Sequence, residues 1–280
     1  MTNAPASASE YLPDLRSGAE VAEILAPIIA HARPREASVL ATPAVVLAIS
    51  GLKGTSYVAD LGKLDRAIEE LNIRCPDPLV RFDWDEIDSG RIYVHNLAGI
   101  ERTSRSSKLP GILPFNSATG FEGYERFLPM QMHALEREIQ FGSYPPEAEA
   151  ETLFQGIFLG YPDQAILDFE RAFSSPNPRT ILDLPVTDIL NSSDGGPLAL
   201  LPHLESDRSG IDLIIREEHA ADPGILDYAR SARRIVREFE ATALGRRLRD
   251  NPKVQTATER RQELWRTRRQ LWFETGAPLR

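Results

Sequence analysis

The longest apolar stretch, Ala37 to Ile49, constrains the fold of this chain more than any other segment. Ser38, Thr42 and Pro43 interrupt it, so it is too short to cross a bilayer as a helix and belongs in a protein core. Within it, Val45-Val-Leu-Ala-Ile49 shows no alternation, the pattern of a strand covered on both faces. A buried strand is therefore expected here. A chain of 280 residues is long enough to supply the layers that would cover it.

Other segments carry clearer periods. Ser17-Gly-Ala-Glu20 has capping-box spacing, and Val21, Ile24, Leu25, Ile28 and Ile29 recur at helical intervals, which predicts a helix to about Ala32. A second helix is expected from about Ser56 to Asn72, with Val58, Leu61, Leu64, Ile68 and Leu71 on one face. Arg91 to His95 reads as a short strand, and residues 96–120, with Pro110 and Pro114, as a long polar loop. Helices are expected over Phe121–Phe141, where Pro129 should kink or split the run, over Glu147–Leu159, and again after Pro162, with Gly160 as the C-terminal stop between them. Residues 180–184 and 211–215 are further strand candidates, and 223–248 and 255–273 read as long helical segments.

Together these predict a mixed α/β fold, or its α+β variant. It would be a sheet of several short strands covered by helices, with a long helical C-terminal segment. The expected organisation is a loose N-terminal arm over 1–16, a globular body over 17–222, and a basic helical segment over 223–280.

Charge and composition narrow the function. A single cysteine, Cys75, excludes a disulfide framework, and five isolated histidines offer no paired metal-ligand spacing, so no metal and no cofactor are expected. The opening MTNAPASASE has neither a basic residue nor an apolar run, which suggests a cytoplasmic protein without a membrane partner. The net charge of −9 is an uneven average. Residues 225–280 hold 14 Lys+Arg against 7 Asp+Glu, while residues 1–224 hold 18 against 34. Such a body repels nucleic acid. In the tail, Arg260-Arg-Gln-Glu-Leu-Trp265 is echoed by Arg268-Arg-Gln-Leu-Trp272, so Leu264 and Leu271, like Trp265 and Trp272, share one helical stripe. The stripe would dock on the chain's own body, or make 254–273 the contact to a second copy or a protein partner.

Three constellations can carry chemistry. Ser50-Gly-Leu-Lys-Gly-Thr-Ser56 lies between the expected strand and helix, the setting of a phosphate cradle, with Lys53 for charge and Thr55 for a hydroxyl. Its order departs from a P-loop. His95-Asn96 ends the 91–95 strand, where a histidine can move a proton, and Arg102 and Arg105 follow it as anion binders. Tyr161 and Asp163, in Gly160-Tyr-Pro-Asp163, are candidate proton donors or orienting groups.

The function expected from these is an enzyme acting on a small anionic metabolite by metal-independent acid–base chemistry: hydrolysis, elimination or cyclisation, of the kind found in specialised metabolism. His95, Tyr161 and Asp163 would be catalytic, with Lys53, Thr55, Asn96, Arg102 and Arg105 binding substrate. The alternative is a non-catalytic interaction subunit using the Trp-bearing tail. A nucleotide-binding protein with a degenerate phosphate loop comes third.

Overall fold

A computed structural model describes residues 15–59, 65–84, 91–145, 148–173, 184–185, 214–215, 219 and 221–260. Helices dominate them. The first, α1 (Gly18–Ile29), begins as the sequence predicts: the Ser17 N–H donates to Glu20 Oε2 at 2.7 Å, and the Glu20 N–H returns a bond to Ser17 Oγ at 3.3 Å.

The Ala37–Ile49 stretch is not a strand. It forms two short helices, α2 (Pro34–Leu40) and α3 (Pro43–Ser50). The Val45 N–H donates to Thr42 Oγ1 at 3.3 Å, and Pro43 takes the first helical position, where its missing N–H costs nothing. Every residue of α3 is buried. A helix enclosed on all sides has no polar face, so it loses the 3.6-residue signal that separates it from a buried strand. Gly51, at φ 82°, closes it in the left-handed conformation.

The helix expected over 56–72 is likewise corrected. Its first part is strand β1 (Thr55–Ala59), and only its second part is helical, as α4 (Asp65–Arg74). β2 (Val80–Trp84) and β3 (Arg91–Asn96) complete a three-stranded antiparallel sheet in the order β1-β3-β2. β3 is the strand read from sequence. Its register sets His95 opposite Thr55 on one side and Arg81 on the other.

The supposed loop at 96–120 is half helix. α5 (Leu97–Ser106) starts directly from β3, with Asn96 as its cap. Pro110 and Pro114 lie in the connection to α6 (Gly120–Gln140), which continues through Pro129. α7 (Ala150–Phe158) and α8 (Asp163–Phe173) follow. Leu184–Pro185 pairs antiparallel with Ile214–Ile215; the remainder of the 180–184 and 211–215 strand candidates lies outside the described residues. α9 (Pro223–Ala241) and α10 (Ala243–Arg249) lead to a final helical stretch at 252–260. Residues 1–14 and the Trp265/Trp272 stripe also lie outside the described residues.

The architecture is thus mixed α/β, dominated by helices around a small antiparallel sheet. Its apolar residues form two cores. One gathers Leu25 of α1, Ala44 to Ile49 of α3, Phe82 and Val94 of the sheet, and Ile235 and Phe239 of α9. The other gathers Ile100 of α5, Phe127 of α6, and Leu153 and Phe158 of α7. Neighbouring residues of α8 divide between them, Ala165 facing the first and Ile166 the second, while Tyr161 packs against both. No described helix is long and apolar enough to cross a membrane.

Candidate functional site

The seam between the cores begins at the C-terminus of α3, where a buried helix end leaves carbonyls that water cannot reach. Polar side chains from elsewhere take them up. Asn96 Nδ2 donates to Ala48 O and Ile49 O, both at 2.9 Å, while its Oδ1 accepts the Gly99 N–H at 3.2 Å. The Arg16 N–H donates to Ser50 O at 2.9 Å and its guanidinium to Ile49 O at 2.7 Å, with Asp77 paired behind it. From α5, Arg102 Nε donates to Gly51 O at 2.9 Å and its Nη2 reaches Leu52 O. Burial lowers the Arg102 pKa to about 10, which leaves it cationic at neutral pH beside the negative end of the helix dipole.

The glycine-bearing segment 51–56 therefore follows a helix C-terminus. A phosphate cradle needs the N–H groups of an N-terminus, whereas here carbonyls converge and recruit cations. Lys53 is wholly buried, its Nζ 5.1 Å from the centre of the Tyr161 ring. Tyr161 meets Tyr228 of α9 edge-to-face at 6.2 Å. Among the described residues the buried Tyr228 hydroxyl has no hydrogen-bond partner, and burial raises its pKa well above the ordinary phenol value.

Gly160 holds Tyr161 in place. The Gly160 N–H donates to Ile157 O at 2.9 Å and the Tyr161 N–H to Gly156 O at 3.1 Å, a Schellman closure of α7 with Gly160 at φ 74°. A Cβ on Gly160 would stand 2.3 Å from Leu52 O, so this turn presses directly on the Lys53 segment.

His95 sits apart, between Tyr93, stacked at 5.9 Å, and Tyr124 at 5.6 Å, with its Nδ1 3.2 Å from Thr55 Oγ1. Burial lowers its pKa to about 4; Asp83 opposes that shift and Arg81 adds to it. The ring is neutral at physiological pH. Arg105 pairs with Glu101 at 2.9 Å and donates to Phe115 O at 3.3 Å. Asp163 Oδ2 accepts the Lys108 N–H at 2.7 Å, tying the start of α8 to the connection just after α5. Of the residues singled out from sequence, the structure brings Lys53 to Tyr161 and Thr55 to His95. Asn96, Arg102, Arg105 and Asp163 each bond to protein groups.

One acid–base pair was not read from the sequence. His219, in the turn before α9, places Nδ1 2.7 Å from Asp168 Oδ2 of α8. The Asp168 side chain is 1% exposed and that of His219 26%. Gln164, one helical turn before Asp168, donates from Nε2 to its Oδ1 at 3.0 Å. The Gln164 Nε2 also lies 3.2 Å from His219 Nδ1, but the shorter contact is to a carboxylate, which only accepts, and it favours a proton on Nδ1 with Nε2 as the basic nitrogen of the neutral ring. The turn is fixed as well, since the Asp222 N–H donates to His219 O at 2.9 Å and the Asp222 side chain caps α9 at Ile225 N. The signal in the sequence was a carboxylate three residues after Ala165, on the apolar side of α8. Among the described residues no group of three or more His, Cys, Asp and Glu side chains is arranged to hold a metal.

No protein-family model matches the chain, and neither curated proteins nor solved structures include one significantly similar to it.

Proposed function

We propose that the chain is an acid–base enzyme for a small anionic substrate, with His219 as the proton-transfer group and Asp168 as its positioning residue. The observation that carries this reading is the 2.7 Å contact between a buried carboxylate and a histidine that keeps part of its ring at the surface. Such a pair fixes tautomer and ring direction together and stabilises the imidazolium formed when Nε2 takes a proton. His95, the histidine favoured from sequence, is less suited. A pKa near 4 makes it a weak base, and aromatic rings lie against it. The reactions in keeping with one histidine base are hydrolysis, elimination and cyclisation.

The test is turnover by the full chain against a panel of phosphate- and carboxylate-bearing esters, hydroxy acids and keto acids, read by mass spectrometry. Turnover of a panel member should be abolished in His219→Asn and reduced roughly 100-fold or more in kcat in Asp168→Asn. His95→Gln should retain it. Turnover indifferent to His219 overturns the assignment.

A further inference from the structure

At the other side of the α1–α2 turn, a cleft of about 480 Å³ opens between the start of α2 and the 252–260 helix. Its walls are Arg33, Pro34 and Arg35 on one side and Pro252, Lys253, Thr256, Ala257 and Arg260 on the other. None of these eight residues is acidic, although the whole chain carries −9. The helical wall is built by spacing. Residues 253, 256, 257 and 260 fall at i, i+3, i+4 and i+7, so they share one face, while Val254 and Thr258 on the other face are 2% and 0% exposed. Packing of that inner face leaves Lys253 and Arg260 exposed on the wall of the cleft that Arg33 also lines. Among the described residues no carboxylate pairs with Arg33, Lys253 or Arg260. The Glu36 carboxylate beside them accepts the Arg33 backbone N–H at 2.8 Å instead. The Thr256 hydroxyl donates to Pro252 O at 3.0 Å, so the side-chain donors offered to a ligand are those of Arg33, Lys253 and Arg260.

We infer that this cleft is a binding site for a compact polyphosphate: an anion with two or more linked phosphate groups. Like charges held on facing walls repel one another, and a multivalent anion relieves that repulsion at several points at once. Guanidinium forks match phosphate oxygens two at a time, which a single carboxylate would use only in part. Pro34, Pro252 and Ala257 supply apolar wall for a small carrier. The cleft is open to solvent and of a size to admit a small molecule, and the net acidity of residues 1–224 disfavours a long polyanion such as a nucleic acid. This inference does not depend on the acid–base reading of His219.

The test is calorimetric titration of the full chain with inorganic tripolyphosphate, pyrophosphate, orthophosphate, citrate and a single-stranded oligonucleotide, alongside melting curves. Tripolyphosphate should bind tightest, raise Tm, and weaken steeply with added salt. A Lys253→Ala/Arg260→Ala variant, altered only at exposed positions, should melt within a degree or two of wild type and bind at least tenfold more weakly. Arg33→Ala should do the same, while Arg126→Ala, on α6, should bind as wild type. Binding unchanged in the double variant, no measurable binding of tripolyphosphate, or tighter binding of the oligonucleotide or citrate would each overturn the inference.

Discussion

The carboxylate of Asp168 and the imidazole of His219 meet at 2.7 Å across 51 residues of sequence, the acid sealed inside α8 and the base at its edge. The contact favours one tautomer. Nitrogen-detected NMR of the histidine rings should find His219 protonated at Nδ1 in its neutral form, and Asp168→Asn should shift the population toward Nε2–H. An Nε2–H tautomer in the wild type would remove the basis for assigning it as the base.

Arg102 supplies donors to two buried carbonyls at once. Arg102→Ala should cost about 3 kcal/mol in urea unfolding, because Gly51 O and Leu52 O would be left buried without partners. Arg102→Lys should recover less than half of that, since an ammonium lacks the fork that spans both oxygens.

His95 and Glu170 predict opposing pH effects. Burial depresses the His95 pKa to about 4, against about 6.5 unfolded, so its contribution is complete above 6.5 and is lost as pH falls toward 4. The full swing is about 3 kcal/mol. For Glu170, burial raises the pKa to about 7, partly offset by a hydrogen bond from the Glu149 backbone and reinforced by the Glu149 carboxylate. Its protonated form favours the fold below about 4.5, and that advantage is lost as pH rises through 7. Unfolding midpoints from pH 4 to 8 should therefore fall less steeply with acid in His95→Gln than in wild type. Glu170→Gln should gain stability relative to wild type at pH 8. Parallel curves for all three proteins would contradict both assignments.

Gly160→Ala combines a left-handed backbone with a Cβ driven onto the Leu52 carbonyl. The conformation alone costs about 1 kcal/mol, and the clash is with backbone that cannot rotate away, so a total of 2 kcal/mol or more is expected in equilibrium unfolding. Gly142→Ala is the control. Gly142 also has positive φ, but nothing lies within 4 Å of its added Cβ, so only the smaller cost should appear.

Thr42→Ala tests the corrected reading of the apolar stretch. Loss of the cap on Val45 N should cost about 1 kcal/mol, as for other threonine caps. A strand at this position would have no such dependence on the Thr42 hydroxyl.

Much of the fold was legible where local chemistry decides the outcome. The Ser17/Glu20 box starts α1, Gly160 ends α7, and the Ile92-Tyr93-Val94 run forms β3, because each needs only its near neighbours. Reading failed where burial is complete. In α3 every side chain is buried and all but Ser50 are apolar, so period carried no information, and only Thr42-Pro43 hinted at a helix start. Val58 fitted a helical stripe with Leu61 and Leu64, yet the pairing of Thr55–Ala59 with β3 made its segment a strand, since strand preference depends on a partner that local spacing does not reveal.

The candidate site divides in the same way. Sequence alone marked Lys53, His95, Arg102 and Tyr161 as residues of interest and determined the split between an acidic body and a basic tail. Only tertiary structure decided what these residues do. It enclosed Lys53 and Arg102 at the carbonyl end of a buried helix, lowered the basicity of His95 by packing it between aromatic rings, and joined Asp168 to His219 across 51 residues. It also turned Arg33, Lys253 and Arg260 toward one cleft. The physical reason is that charge, basicity and hydrogen-bond capacity depend on the nearest atoms and on access to water, and both are set by contacts between distant parts of the chain.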